Sequence, residues 1–482
     1  MLPEINLLLL RMMVCLRSKV WLCGLLSLVS YAQSPIEARL DSAAAPILYV
    51  ASSAFENPAV RQWQMDVSIS DVDVSYAHVD NVVSQGANPQ LGSGEGVFSA
   101  GAQSYMKYKS STLWGGASYD NGKQYDVVYN ETADIGLIYP YVAADTIGGD
   151  IKLERYSFYG GYADHSGRWS WGGELRYTAG LYYRNVDPRP RNVTGLLDVK
   201  IGVGYRLLAD YDLSAAFTLR RYTQSNDIDF KSEMGVDKIY HLTGLGNHYN
   251  RFAGLGLNAH YGGYRYGGIL TLFPRGRKGV FATAEISRFS FDKVLRDLNE
   301  LPMASVVHTR FSGQIGWLHP SRNADWAVIA DFGTYRRHGT ENIFGDPSSN
   351  IYPQIASLMM YADNAYSYSL SVLYCYKWGG YRMWMAPNAG YYHRRQIYRH
   401  PAEQSLDEIM DASALMGFSS LCGKWWLRLT ARYSYTEHIG SGFDASVSVS
   451  RAVTDVVALR LSGGYEYDKL CRNLNVSFGV LF

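Results

Sequence analysis

The chain has 482 residues and a net charge of +1, and it is rich in Tyr (39), Gly (47) and Trp (11). Beyond the N-terminus it holds no apolar run of about 18 residues, which excludes a protein built of membrane-spanning helices. The near balance of charge argues against a nucleic-acid partner, whose binding surface carries a basic stripe.

At the N-terminus, Arg11, Arg17 and Lys19 precede the apolar stretch VWLCGLLSLV at 20–29, and the small residues Ser30 and Ala32 follow. A basic region, a short apolar core and small residues in that order predict a secretory signal over 1–32, cleaved after Ala32. Cys23 lacks the small residues that precede a lipidated cysteine. Cys375, Cys422 and Cys471 are spread without pairing or zinc spacing, so isolated thiols and no metal site or cofactor are expected. Residues 33–60 read as a short periplasmic segment, too short for a plug domain.

From about residue 61 the hydrophobic period becomes two. WSWGGELRYTAGLYY puts Trp169, Trp171, Leu175, Tyr177, Ala179 and Leu181 on one face and Ser170, Glu174, Arg176 and Thr178 on the other. VTGLLDVKIGVGYRL sets Val193, Leu197, Val199, Ile201 and Val203 against Thr194, Asp198, Lys200 and Arg206. The stretch from Asn250 to Phe273 changes frame between Tyr261 and Tyr266, which predicts one long strand with bulges at Gly262 and Gly263. YSYSLSVLYCYKW and WWLRLTARYSY repeat the alternation, with Tyr366, Leu370 and Trp378, then Trp425, Leu427 and Leu429, on the apolar faces. Strands this long exceed the roughly 5 or 6 residues usual in soluble sheets and suit tilted membrane strands.

The expected fold is all-β: a transmembrane, antiparallel up-and-down β-barrel over 61–482 of about 18 strands, with about 16 as the alternative. Short turns, such as those at His165–Arg168, Leu208–Asp212, Pro274–Lys278 and Leu421–Lys424, alternate with longer polar stretches near 80–96, 120–150, 184–192, 224–249, 291–304, 337–364 and 395–408. Short periplasmic turns and long external loops are the outer-membrane arrangement. Trp169, Trp317, Trp326, Trp378 and Trp425 sit beside short turns on the apolar face, as an aromatic membrane girdle requires.

Taking the apolar set as lipid-facing leaves Arg176, Arg206, Arg220, Arg310, Arg382, Arg394, Arg428, Arg432 and Arg460, with Glu174, Asp198, Glu285, Asp331 and Glu466, lining the lumen. Such a ring either concentrates anions or fills the lumen with cross-strand salt bridges. The stretch 337–364 is the candidate constriction. His308 and Ser312 share an inward face four residues apart, about 13 Å along a strand and too far for a hydrogen bond. Asp331 lies on the next strand, but no catalytic residue is assigned. His241, His248, His393 and His400 read as solvated loop histidines.

The chain closes on LNVSFGVLF, with Leu474, Val476, Phe478, Val480 and Phe482 alternating. This ending resembles the C-terminal signal of outer-membrane barrels, which implies the assembly machinery and outer-membrane lipid as partners. The mature chain as a whole resembles the uncharacterised outer-membrane barrel families of Gram-negative bacteria, porin-like or transporter-like. Asn57, Pro58 and Ala59 resemble the Asn-Pro-Ala segment of the long-chain fatty acid channel family, which implies a hydrophobic cargo. The functions in view are a channel or accessory transporter for a small solute, a lumen-filled barrel that partners an energy-coupled outer-membrane receptor, and, third, an outer-membrane hydrolase.

Overall fold

A computed structural model describes residues 35–82, 87–208, 210–232, 239–252, 257–349 and 351–482. The expected signal over 1–32 lies outside them. The first strands are β1 (Ile69–Asn81), β2 (Gly94–Lys107) and β3 (Ser111–Val127), followed by the two-residue β4 (Ala143–Ala144) within a loop. Next come β5 (Gly149–Ser166), β6 (Trp169–Tyr183), β7 (Arg189–Arg206) and β8 (Tyr211–Asp229), and the loop strands β9 (Tyr240–Gly244) and β10 (Asn247–His248). The second half holds β11 (Ala259–Pro274), β12 (Gly279–Leu295), β13 (Leu301–His319), β14 (Ala324–Phe344), β15 (Gln354–Trp378) and β16 (Tyr381–Tyr398). It ends with β17 (Glu403–Cys422), β18 (Trp425–Thr436), β19 (Gly440–Thr454), β20 (Val457–Tyr467) and β21 (Cys471–Leu481).

Leaving out the three loop strands, the rest form one 18-stranded antiparallel sheet in which neighbours in sequence are neighbours in space. The sheet closes where β21 pairs with β1, Phe478 opposite Val74 and Val476 opposite Tyr76, so the barrel sheet has no open edge strand. The closed, 18-stranded, all-β fold agrees with the expectation.

The outer face is apolar on strand after strand, with Leu175, Ile201, Phe217, Ile286, Ile315, Leu370 and Leu461 all exposed. The expected frames hold on β6, β7, β15 and β18. They fail on β11. Its register with β8 and β12 runs unbroken through Gly262 and Gly263, so there is no bulge. Tyr261 points inward and is fully buried, whereas Tyr264 and Tyr266 point outward and are exposed. Both faces of this strand are aromatic because the lumen there is packed, not watered.

Several expected loops are strand instead. Residues 337–344 and 354–364 extend β14 and β15 beyond the shorter walls, leaving only 345–353 as their connection. The candidate constriction at 337–364 is therefore largely barrel wall, and the segments that enter the lumen at the loop end are 128–148 and 239–252.

The barrel proper begins at Ile69, and residues 35–68 lie inside its turn-end mouth against inward-facing side chains. The first helix, α1 (Ile36–Ala43), packs on Ala452, Ala458 and Leu481. The next, α2 (Pro46–Val50), and the turns after it pack Ile47, Ala51, Ala54 and Phe55 on an apolar patch of wall made by Phe273, Phe281, Leu318, Ile329, Leu373 and Trp384. Asn57, Pro58 and Ala59 then press on the wall at Gly172 and Gly202, where a Cβ would meet the Pro58 carbonyl at 2.5 Å and the Asn57 Oδ1 at 2.5 Å. The segment thus runs the full circuit of the inner wall, from β20 back past β16, β12 and β7 to β3, before entering β1.

Candidate functional site: the lumen

Ion pairs seat the N-terminal segment. Asp41 accepts from Arg382 at 2.6 Å, Glu56 pairs with Lys200, and Asp66 pairs with Arg277. Arg61 donates to Glu174 at 2.6 Å, and the same carboxylate oxygen accepts from Trp114 Nε1 at 2.7 Å. The start and end of the circuit leave a cavity of about 460 Å³ between them. Arg61, Arg428, Arg460, Asp71, Tyr49 and Trp426 are among its lining residues. Arg460 is held by Asp71 at 2.7 Å, whereas Arg428 donates to the Ala44 carbonyl and lies over the rings of Tyr49 and Trp384.

Above this segment the inward wall is charged. Arg220 and Arg265 are direct cross-strand partners on β8 and β11, with Arg310 two strands further on. Asp198 takes Arg220 at 2.5 Å. Among the described ion pairs, no carboxylate partners Arg265, Arg310 or Arg428. Like charges directly opposite in a sheet repel, and the Glu285 and Asp198 carboxylates act on Arg265 from the same stretch of lumen.

The loop end is filled by residues 128–148 and 239–252. Ile138, Tyr141 and Val142 pack on inward Tyr222, Tyr261, Phe289, Phe291 and Val306, and Tyr261 donates to the Tyr141 carbonyl at 2.9 Å. The helical turn α3 (Ile135–Ile138) is latched by Arg337, which donates to the carbonyls of Gly136 and Tyr139 at 3.0 Å each. Deeper in the loop, buried Arg184 bridges Glu131 at 2.5 Å and Asp145 at 3.3 Å. Burial pushes the Glu131 carboxyl well above the usual range despite Arg184. His241, on β9, is fully buried with neither ring nitrogen partnered among the described residues. Its burial, reinforced by the Lys293 charge, holds the imidazole well below its usual value. It is not the solvated loop histidine expected; the loop carrying it turns into the barrel mouth.

The residues expected to line the lumen all face inward, but most are engaged. Arg176 lies over Tyr159 and 3.9 Å from Glu174; Arg432 meets Asp444 at 3.4 Å, and Arg394 meets Asp363 at 2.8 Å. Arg206 stands opposite Asp212 at the turn end, and Glu466 is exposed on β20 opposite Asp444. Asp331 binds Gln314 at 2.5 Å, while His308 stands opposite Arg337 and against Tyr335, so Asp331 and His308 are not brought together.

Trp169, Trp317, Trp326, Trp378 and Trp425 are exposed on the outer wall at the turn end. Leu474, Val476 and Phe478 are exposed outward on β21, with Val480 and Phe482 half-buried. Sequence reasoning missed Arg265, whose frame the expected bulge left undefined. It also missed Asp41, Glu56 and Arg61, acid and base spaced along a segment taken to lie outside the barrel.

Fold and site define a closed β-barrel with an apolar exterior and a lumen occupied from both ends. The chain belongs to DUF6850, a family of unknown function whose profile matches residues 58–472. No curated protein matches. Among solved structures, the chain is similar to the siderophore receptor PirA from Pseudomonas aeruginosa at 7% identity, covering 86% of this chain and 80% of that one with a TM-score of 0.39. It is similar to the copper transporter OprC at 8% identity, 86% and 80% coverage and a TM-score of 0.41. The FrpB iron transporter from Neisseria meningitidis gives 9% identity, 88% and 83% coverage and a TM-score of 0.41. Likenesses of this size carry no functional argument.

Proposed function

We propose that this protein is an outer-membrane barrel that conducts a small anionic solute through its lumen. The apolar outer wall, with tryptophans gathered at the turn end, supports the membrane setting. The observation that carries the transport reading is the inward Arg220–Arg265 pair with Arg310 two strands further on, where two guanidinium groups stand on directly opposite residues and one carboxylate, Asp198, is ion-paired to Arg220. A cation cluster of this kind on a channel wall raises local anion concentration in a low-dielectric channel.

The test is the mature chain refolded into a planar bilayer, with reversal potential measured across a potassium chloride gradient. Anion preference that falls in Arg265→Gln/Arg310→Gln is the expected result; cation preference, or selectivity unmoved by the substitutions, overturns it. A correctly folded but silent barrel favours the second reading, a filled barrel that acts as binding or assembly partner of another uptake protein. That reading draws on the apolar packing of the N-terminal segment and of loop 128–148 at the two mouths.

A further inference from the structure

The outer wall carries a polar row toward its loop end, above the apolar band. Arg288 on β12, Thr309 on β13, Arg336 on β14, Asn364 on β15 and Arg395 on β16 are successive cross-strand partners on the outward face. All three arginines are exposed, and no described ion pair involves any of them. Thr334, Arg336, Asn364, Tyr366, His393 and Arg395 are among the residues that line an open recess of about 440 Å³ in this wall. The recess has a built floor: Tyr366 stacks on His393 with ring centroids 4.5 Å apart, and His393 is fixed by Glu408 at 3.1 Å. Among the described side-chain hydrogen bonds, Arg395 reaches Gln404 alone, at 3.3 Å. Among the described hydrogen bonds Glu408 meets the histidine and neither arginine, and the two guanidinium groups remain open to the recess.

Height decides what they meet. Ten residues separate Arg336 from Trp326, the exposed tryptophan at the turn end of the same strand. At a tilt of roughly 40°, that run climbs about 25 Å, the height of the apolar band of an outer-membrane barrel. Arg336 thus emerges at the outer edge of the hydrocarbon, where lipid headgroups begin.

We infer that this recess seats the phosphate of an outer-leaflet phosphorylated glycolipid, with Arg336 and Arg395 as its ligands, Asn364 between them and Arg288 extending the row along the wall. Guanidinium forks match phosphate oxygens in geometry as well as charge. The acyl chains of such a lipid would lie along the apolar wall below, past Phe332 and Leu370. The inference rests on the membrane setting proposed above.

The test reconstitutes the full mature chain into liposomes containing a few per cent of lipid A, then extracts it in mild detergent and counts bound glycolipid per barrel by native mass spectrometry. Wild type retains lipid A, and Arg336→Gln/Arg395→Gln retains it about tenfold less, as expected for losing charged hydrogen bonds to phosphate. A dephosphorylated lipid A that is retained as well as the parent overturns the proposal, as does a variant that retains the lipid like wild type. Displacement by millimolar inorganic phosphate marks the recess as a seat for the free ion and overturns it equally. Heat-modifiable gel mobility in the same liposomes reports insertion on its own. A chain that does not insert overturns the membrane setting, whereas an inserted barrel without bound glycolipid overturns this proposal alone.

Discussion

Arg61 lies eight residues before the first strand, yet its guanidinium reaches 2.6 Å from Glu174 on β6, and the buried Trp114 indole donates to the same oxygen. The Glu174 side chain is 5% exposed, so the pair is nearly dry on the acid side.

Removing the arginine leaves that buried carboxylate with the indole and the more distant Arg176 at 3.9 Å. Arg61→Ala is expected to cost about 3 kcal/mol, the usual penalty for orphaning one member of a buried ion pair. Trypsin should then cut within residues 35–68 while the strands stay protected. Glu174→Gln keeps an acceptor for Trp114 and should loosen the segment less. Equal protection of both variants and wild type would show that the segment is held without the Arg61–Glu174 pair.

Loop 128–148 depends on Arg337 for two carbonyl contacts at 3.0 Å. Arg337→Ala should speed hydrogen exchange of residues 135–142 by roughly a hundredfold and leave the neighbouring strand amides unchanged. If exchange spreads into β14 itself, the residue supports the wall and not the loop.

His241 gives the loop end a pH response of fixed sign. Its folded-state pKa lies well below the unfolded value, so the neutral form is the one the fold accepts. Stability is complete above about pH 6.5 and falls as the pH drops through that value, by at most about 1.4 kcal/mol per pH unit. Acidification should therefore raise hydrogen exchange in residues 239–249. His241→Leu should abolish the response, and a persistent acid response in that variant would assign it to another group.

Barrel closure is tested on β21. Val476 is exposed outward and stands opposite Tyr76 on β1. Val476→Arg places a charge in the hydrocarbon at a cost of about 2–4 kcal/mol and should lower the urea midpoint in liposomes accordingly. Asn475→Arg, one residue away on the inward face, should be tolerated, and the reverse ranking would contradict the assigned faces.

Alternation was readable wherever one face of a strand meets polar surroundings. On β6 and β7 the inward residues Glu174, Arg176, Asp198 and Lys200 contrast with apolar partners outside, so period two fixes both faces. The contrast vanishes where the lumen is packed. On β11 Tyr261 serves the interior and Tyr264 the exterior with the same side chain, and on β18 Trp425 and Trp426 are adjacent yet face opposite ways. Composition cannot separate a lipid-facing aromatic from one packed under a loop. The lumen's filling was hidden for a related reason: Asp41, Glu56 and Arg61 look like ordinary solvated charges until Arg382, Lys200 and Glu174 arrive from strands more than a hundred residues away.

The circuit made by residues 35–68 has a mechanical consequence. A closed sheet is stiff along its strands but soft in cross-section, because each strand is tied only to its two neighbours and the ring flattens by small changes of angle at every pair. Asp41 on Arg382, Glu56 on Lys200 and Arg61 on Glu174 fasten one continuous strap to β16, β7 and β6, with Phe55 wedged against Phe273 on β11. The Arg382 anchor on β16 stands apart from the Lys200 and Glu174 anchors, which are direct cross-strand partners, and Phe273 lies between the two groups, so the strap acts as an internal tie that holds the turn-end mouth to a single outline.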